Sequence, residues 1–159
     1  MKKFLVIAAS LIIANSVFAQ NKITFSDGKV SGELPAGWDV INTDSPVSFY
    51  MFAPETKNDK FRENITVTHE QFAPGQKFTV EQYLNAVVTN LQTMWPDLEI
   101  VESGKDWIIY KIEVNGIKVT QYARVIIKKT NATFICASAN PEDFDSYRDV
   151  FKQIIFAFK

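Results

Sequence analysis

Apolar and polar positions recur with two different periods along this chain, and each change of period marks a change of element. Period two appears at 23–25 and 30–32, around Ser26-Asp27-Gly28-Lys29, and again at 38–41, 47–52 and 65–69. Strands with one buried face leave this mark. Asp27-Gly28 supplies residues that accept positive φ, so the first two segments are expected to close as a hairpin. Leu34-Pro35-Ala36-Gly37-Trp38 then re-aims the chain into the third segment, and 54–63 reads as a polar loop.

A period of 3.6 takes over at 79–95, where Tyr83, Leu84, Val87, Val88, Leu91, Met94 and Trp95 form one apolar stripe. Thr79 with Gln82 three residues later predicts a capping box, and Pro96 ends the helix. The second helical pattern runs through Phe144, Tyr147, Phe151, Ile154 and Phe158, widened by Val150 and Ile155. Asn140 is expected as its N-cap and Pro141 as its first residue. Glu142 and Asp143 follow in the first turn, where the helix dipole favours acids.

Between the helices, 107–138 reads as a meander. Asn115-Gly116 is a two-residue turn signal. Closing it places Ile108, Tyr110, Ile112 and Val114 against Ala123, Gln121, Val119 and Ile117, and sets Glu113 opposite Lys118. A slip of one residue would turn the apolar set outward, so the register is well determined. A second turn is expected at Thr130-Asn131, leading into 134–137, which is apolar on both faces and reads as an interior strand.

Composition narrows the function classes. Apolar residues make up 47% of the 159, with thirteen phenylalanines, which argues for a packed body. A formal net charge of −1 gives no footprint for nucleic acid or for an anionic lipid surface. Lys2 and Lys3, the apolar run 4–17 and Val17-Phe18-Ala19 before Gln20 have the three parts of a signal peptide over 1–19. The run is too short for a permanent span, and no cysteine follows it to carry a lipid. One domain over 20–159 is expected, periplasmic or secreted, with no stable membrane span after cleavage. Cys136 is the single cysteine, so no internal disulfide forms, and its apolar surroundings mark a small buried hydrophobe.

Candidate chemistry is sparse. His69 is the one histidine, expected to face solvent or cap the sheet rim. No HExxH, CxxC, GxSxG or GxGxxG occurs. Glu142, Asp143 and Asp145 lack a calcium-loop spacing and read as acids at a helix start. Asn64-Ile65-Thr66 and Asn131-Ala132-Thr133 match the glycosylation pattern incidentally in a chain with a bacterial-type leader. No catalytic residue, cofactor-binding residue or metal ligand is therefore expected. The stretch that stands out is the long charged loop at 54–62. It mixes Lys57, Lys60 and Arg62 with Phe61, and these four are the candidate partner-binding residues.

Several segments, in this order, resemble the PsbP-like/DcrB superfamily, which includes LpqN-type and DcrB-type exported proteins. They are Leu34-Pro35-Ala36-Gly37-Trp38, then Phe61-Arg62-Glu63-Asn64-Ile65-Thr66-Val67, then Thr79-Val80-Glu81-Gln82-Tyr83, the 107–138 meander and the aromatic stripe of 144–158. The resemblance spans nearly all of 20–159. It implies an α+β fold, an α/β/α sandwich with a central antiparallel sheet covered by helices. The superfamily has no shared catalytic constellation and its members bind different partners, so it implies no activity. The combined expectation is an exported, non-catalytic binding or accessory protein of the bacterial envelope, recognising another envelope or secreted protein or an envelope component. The alternative is a small-molecule or ion-binding accessory protein using a cleft between sheet and helix.

Overall fold

The Asn115-Gly116 turn closes with both residues at positive φ, 53° and 79°. It joins β7 (Trp107–Val114) to β8 (Ile117–Lys128), and Ile112 pairs with Val119 and Glu113 with Lys118, the expected register. The structure, a computed structural model, describes residues 25–26, 31–42, 47–56 and 61–159. β8 turns into β9 (Asn131–Ala139), but through Lys129 and Thr130 rather than Thr130 and Asn131. Asn131 is drawn into the ladder because it pairs with Lys128 on one side and Gln71 on the other. Lys129 takes the positive φ, 53°, that the turn then requires.

Beyond β9 come β5 (Asn64–Gln71), β4 (Val47–Phe52) and β3 (Asp39–Asn42). β6 (Glu99–Ser103) adds to the free side of β7. The sheet has seven strands in the order β3-β4-β5-β9-β8-β7-β6, with each neighbouring pair antiparallel. β6 was not expected. All five of its residues are exposed and its pairing shifts between Ile100 and Glu102, so it carries no alternation to read. β1 (Phe25–Ser26) and β2 (Ser31–Gly32) form a separate two-stranded sheet. The Asp27-Gly28 turn expected between them and the signal-peptide segment lie outside the described residues. Ser31 and Lys159 exchange backbone hydrogen bonds at 3.4 and 3.1 Å, tying β2 to the end of the chain.

α1 (Val80–Met94) opens on the expected capping box. The Gln82 N–H donates to Thr79 Oγ1 at 3.1 Å, and the Thr79 N–H to Gln82 Oε1 at 2.9 Å. Phe78, just before the cap, packs on Tyr83 with centroids 6.3 Å apart, a staple that fixes the chain's entry angle. Leu84 and Leu91 are buried, whereas Met94 is 60% exposed. Trp95, four residues after Leu91, takes the inward place instead.

α2 (Phe144–Ala157) begins three residues later than its sequence signals suggest. Asn140 still starts the turn, its carbonyl accepting from the Asp143 and Phe144 N–H groups at 3.0 Å each, but regular helix starts only after Asp143.

The helices lie on opposite faces of the sheet. Phe144, Phe151, Ile154, Ile155 and Phe158 pack on one core with Trp38, Met51, Ile65, Val67, Ile109 and Ile135. Leu84 and Leu91 pack on the other with Ile108, Tyr110, Ile112, Val119, Ala123 and Cys136. Alternation along β7 feeds both, Ile109 to one and its two neighbours to the other. Each fully buried large side chain contributes about 1.5–3 kcal/mol. The molecule is the expected α+β sandwich.

Candidate functional site

β4 sends Phe49 and Met51 into the α2-side core, so its alternate residues Tyr50 and Phe52 point to the opposite face. On that face α1 packs over β8 and its neighbours, and among the described residues no helix lies over β3 and β4. Ile41, paired with Tyr50, is 50% exposed, and Ile41, Tyr50 and Phe52 belong to neither core. The Tyr50 and Phe52 rings stack with centroids 6.2 Å apart and planes 8° from parallel.

The loop that follows β4 is closed at its base by the Ala53 N–H donating to the Glu63 carbonyl at 2.9 Å. Arg62 locks the same base. Its Nε donates to the Ala53 carbonyl at 2.6 Å, Nη2 ion-pairs with Asp39, and Nη1 lies 3.7 Å from Glu55 Oε1. The guanidinium sits 5.3 Å from the centroid of Phe52. Contact between a cation and an aromatic face is worth about 0.5–1 kcal/mol at an exposed site. Arg62 is thus held on three sides, its charge balanced by two acids, against the exposed end of the aromatic pair.

Of the four residues singled out from sequence, Arg62 lies here and Phe61, its neighbour in the chain, faces an adjoining pocket; Lys57 and Lys60 lie outside the described residues. Phe61 turns inward against the α1-side core and forms one wall of a pocket of 280 Å³. Val114, Ile117 and Val119 continue the apolar wall. Asn64, Ser138 and Gln121 form the polar part, side by side on β5, β9 and β8. Gln121 Nε2 donates to Ser138 Oγ at 2.8 Å, and Asn64 Nδ2 to the Arg62 carbonyl at 3.1 Å. Asn115 sits at the mouth.

Two other depressions differ in character. One, of 470 Å³, separates α1 from the β6–β7 hairpin, with Leu84, Val88, Ile100 and Ile108 below and Glu81 and Lys105 at the rim. Here Gly104 is required, because a Cβ would collide with the Trp107 ring. The other, of 620 Å³, is lined by Asp97, Glu99, Glu113, Lys111 and Lys118, and Lys111 pairs with Glu99 at 3.6 Å.

The residues most often used for chemistry are engaged elsewhere. His69 is half-buried on the α2 side of β5, its Nδ1 hydrogen-bonded to Thr133 Oγ1 at 2.9 Å. Cys136 is buried, with Tyr110 Oη 3.7 Å from its sulfur. Burial pushes its thiol up to about 11. Tyr83 donates to Glu70 Oε2 at 2.5 Å, and burial together with that bond holds its hydroxyl well above the ordinary phenol range. Glu142, Asp143 and Asp145 are exposed around the start of α2. Among the described residues no three His, Cys, Asp or Glu side chains gather as a metal site, and no helix is long and apolar enough to cross a membrane.

Sequence reasoning missed Ile41, Tyr50, Phe52 and Asp39. A signal was present, since Val47-Ser48-Phe49-Tyr50-Met51-Phe52 carries large apolar side chains at both parities while only one face of β4 meets a core.

No family model and no curated protein matches the chain. Solved structures do. Cyanobacterial PsbP from Synechocystis sp. PCC 6803 superposes with a TM-score of 0.60 at 14% identity, covering 86% of this chain and 90% of its own. LpqN of Mycobacterium tuberculosis, described as involved in cell envelope biogenesis, gives 0.63 at 12% identity over 89% and 91%. The Ran-binding protein Mog1p of Saccharomyces cerevisiae gives 0.57 at 10% identity over 89% and 96%. The chain has the PsbP-like fold.

Proposed function

We infer that the chain is an exported, non-catalytic binding or accessory protein of the bacterial envelope, recognising a protein or another envelope component through the open end of its sheet. The observation that carries this reading is Arg62 fastened across Phe52, beside the Tyr50 ring and the exposed Ile41. Aromatic residues and arginine dominate the energetically decisive centres of interfaces. A contact surface held rigid on strands loses little entropy on binding. Arg62 belongs to this surface, Phe61 borders it from the adjoining pocket, and Lys57 and Lys60 are proposed to extend it.

Supporting the non-catalytic part, His69 and Cys136 lie on opposite faces of the sheet, each engaged in packing or hydrogen bonding. Three similar folds are described as a PsbP, an envelope-biogenesis protein and a Ran-binding protein, a range that fits a scaffold for recognition. Export rests on the leader at 1–19.

Affinity capture from envelope extracts tests the reading. The wild-type chain should retain a discrete partner that the Tyr50→Ala/Phe52→Ala double variant loses while remaining folded. Equal capture by both would contradict it. The alternative, a ligand held between sheet and helix, is favoured by the 470 Å³ cleft beside α1. A thermal-shift screen raising the midpoint of the wild type but not of Val88→Trp would support it.

A further inference from the structure

The pocket beside Phe61 differs from the two charged depressions in one respect that bears on its chemistry: among the described residues no charged side chain lines it. A carboxylate, phosphate or ammonium entering it would lose its hydration and meet no counter-charge among the described residues. The pocket offers amides and a hydroxyl instead. Asn64, Ser138 and Gln121 stand on three adjacent strands, with Asn115 at the mouth. Ser138 is 6% exposed, so the polar floor is built into the sheet rather than laid on its surface.

Two of these amides are oriented before any ligand arrives. Gln121 commits one N–H to Ser138 and Asn64 commits one to the Arg62 carbonyl. Each retains a second N–H and a carbonyl oxygen, so each can donate and accept. The matching ligand has groups that also do both, several of them close together, on a body apolar enough to lie against Phe61, Val114, Ile117 and Val119. A pyranose ring has that character, with hydroxyls around its edge and C–H groups on its faces. A single amide or phenol from a protein side chain would engage one or two of the four polar residues and leave the others facing it unpaired.

We propose that this pocket binds one neutral sugar residue of an envelope glycan. Its 280 Å³ is close to the lower end of ligand-sized cavities, roughly 300–1,000 Å³, which suits one ring. Asn64 pairs with Phe52 across β4 and β5, so a longer glycan leaving the pocket meets the Phe52 and Tyr50 rings next. The proposal rests on the reading of this end of the sheet as a recognition surface and names the ligand it takes.

Amide NMR titration with glucose, galactose, mannose and N-acetylglucosamine tests it, with glucuronate as the charged arm and N-acetylglutamine methylamide as the side-chain arm. At least one neutral sugar should shift the resonances of Phe61, Asn64, Asn115, Gln121 and Ser138, and glucuronate should not. Gln121→Met should weaken that binding roughly tenfold or more. Ile117→Arg, at a half-exposed position on the wall, should do the same without touching the sheet's interior, so a folding defect in the first variant leaves the test intact. Three results would overturn the proposal: no response to any neutral sugar, an equal response to glucuronate, or shifts from the methylamide alone. If sugars fail while envelope capture still depends on Tyr50 and Phe52, the sugar pocket is wrong and the recognition surface stands. If sugars bind while capture does not depend on the rings, the pocket stands without that surface.

Discussion

Arg124 Nη1 donates to the Ile155 carbonyl at 3.1 Å, so β8 supplies the cation that the last turn of α2 lacks. The same guanidinium reaches the Phe158 carbonyl at 3.5 Å, pairs through Nε with Asp106 Oδ2 at 2.9 Å, and lies 4.5 Å from the Phe156 centroid. A cation at a helix C-terminus opposes the negative end of the dipole and satisfies carbonyls that have no partner within the helix. Replacing Arg124 with Met keeps the stem and removes these bonds. It should lower stability by about 2 kcal/mol, read as a reduced urea midpoint with unchanged slope.

Phe151 is fully buried, with its ring 6.5 Å from Trp38 and 5.6 Å from Tyr147. Phe151→Ala should cost roughly 3–5 kcal/mol, a large part of a domain's usual total of about 5–15 kcal/mol. Met94→Ala, on the exposed side of α1, should change stability by less than about 0.5 kcal/mol. Similar losses for the two variants in urea unfolding would contradict the assignment of the cores.

Cys136 gives a pH test. Its folded thiol is raised to about 11 from an ordinary value of 9.0, so the folded chain keeps a proton that the unfolded chain releases first. Its contribution is therefore fully present below pH 9 and is lost as the pH rises through about 11. Cys136→Ala should flatten the fall in stability over that window. A thiol reagent should label native protein slowly and unfolded protein fast.

Cleavage after Ala19 is checked by intact mass. Protein taken from the envelope fraction should begin at Gln20. Retention of residues 1–19 on the exported molecule would contradict the leader assignment.

What was legible in the chain depended on how local its determinants were. The β7–β8 register could be read because Asn115-Gly116 and two alternating strands all demand the same pairing. Thr79 and Gln82 likewise announce α1 within four residues. β6 was hidden, since an exposed strand with an irregular pairing leaves no hydrophobic period. The α2 start was displaced because Asn140 begins a turn that becomes regular helix only three residues on. The candidate loop was half legible. Phe61 and Arg62 stood out by composition, but the partners of Arg62, Asp39 and Phe52, come from strands brought alongside by the sheet. The Arg124 contact with α2 spans 31 positions and has no local signal at all.

The most direct test of the recognition surface is photo-crosslinking in the intact envelope, with a photoreactive residue placed at Ile41 or, on the opposite helix, at Gln153. Both positions are exposed, so both report on what touches the folded protein. A discrete adduct from position 41, absent from position 153 and lost on adding Arg62→Glu, is the predicted result. Adducts of equal yield from the two positions, or none from position 41 in folded, exported protein, would contradict the account.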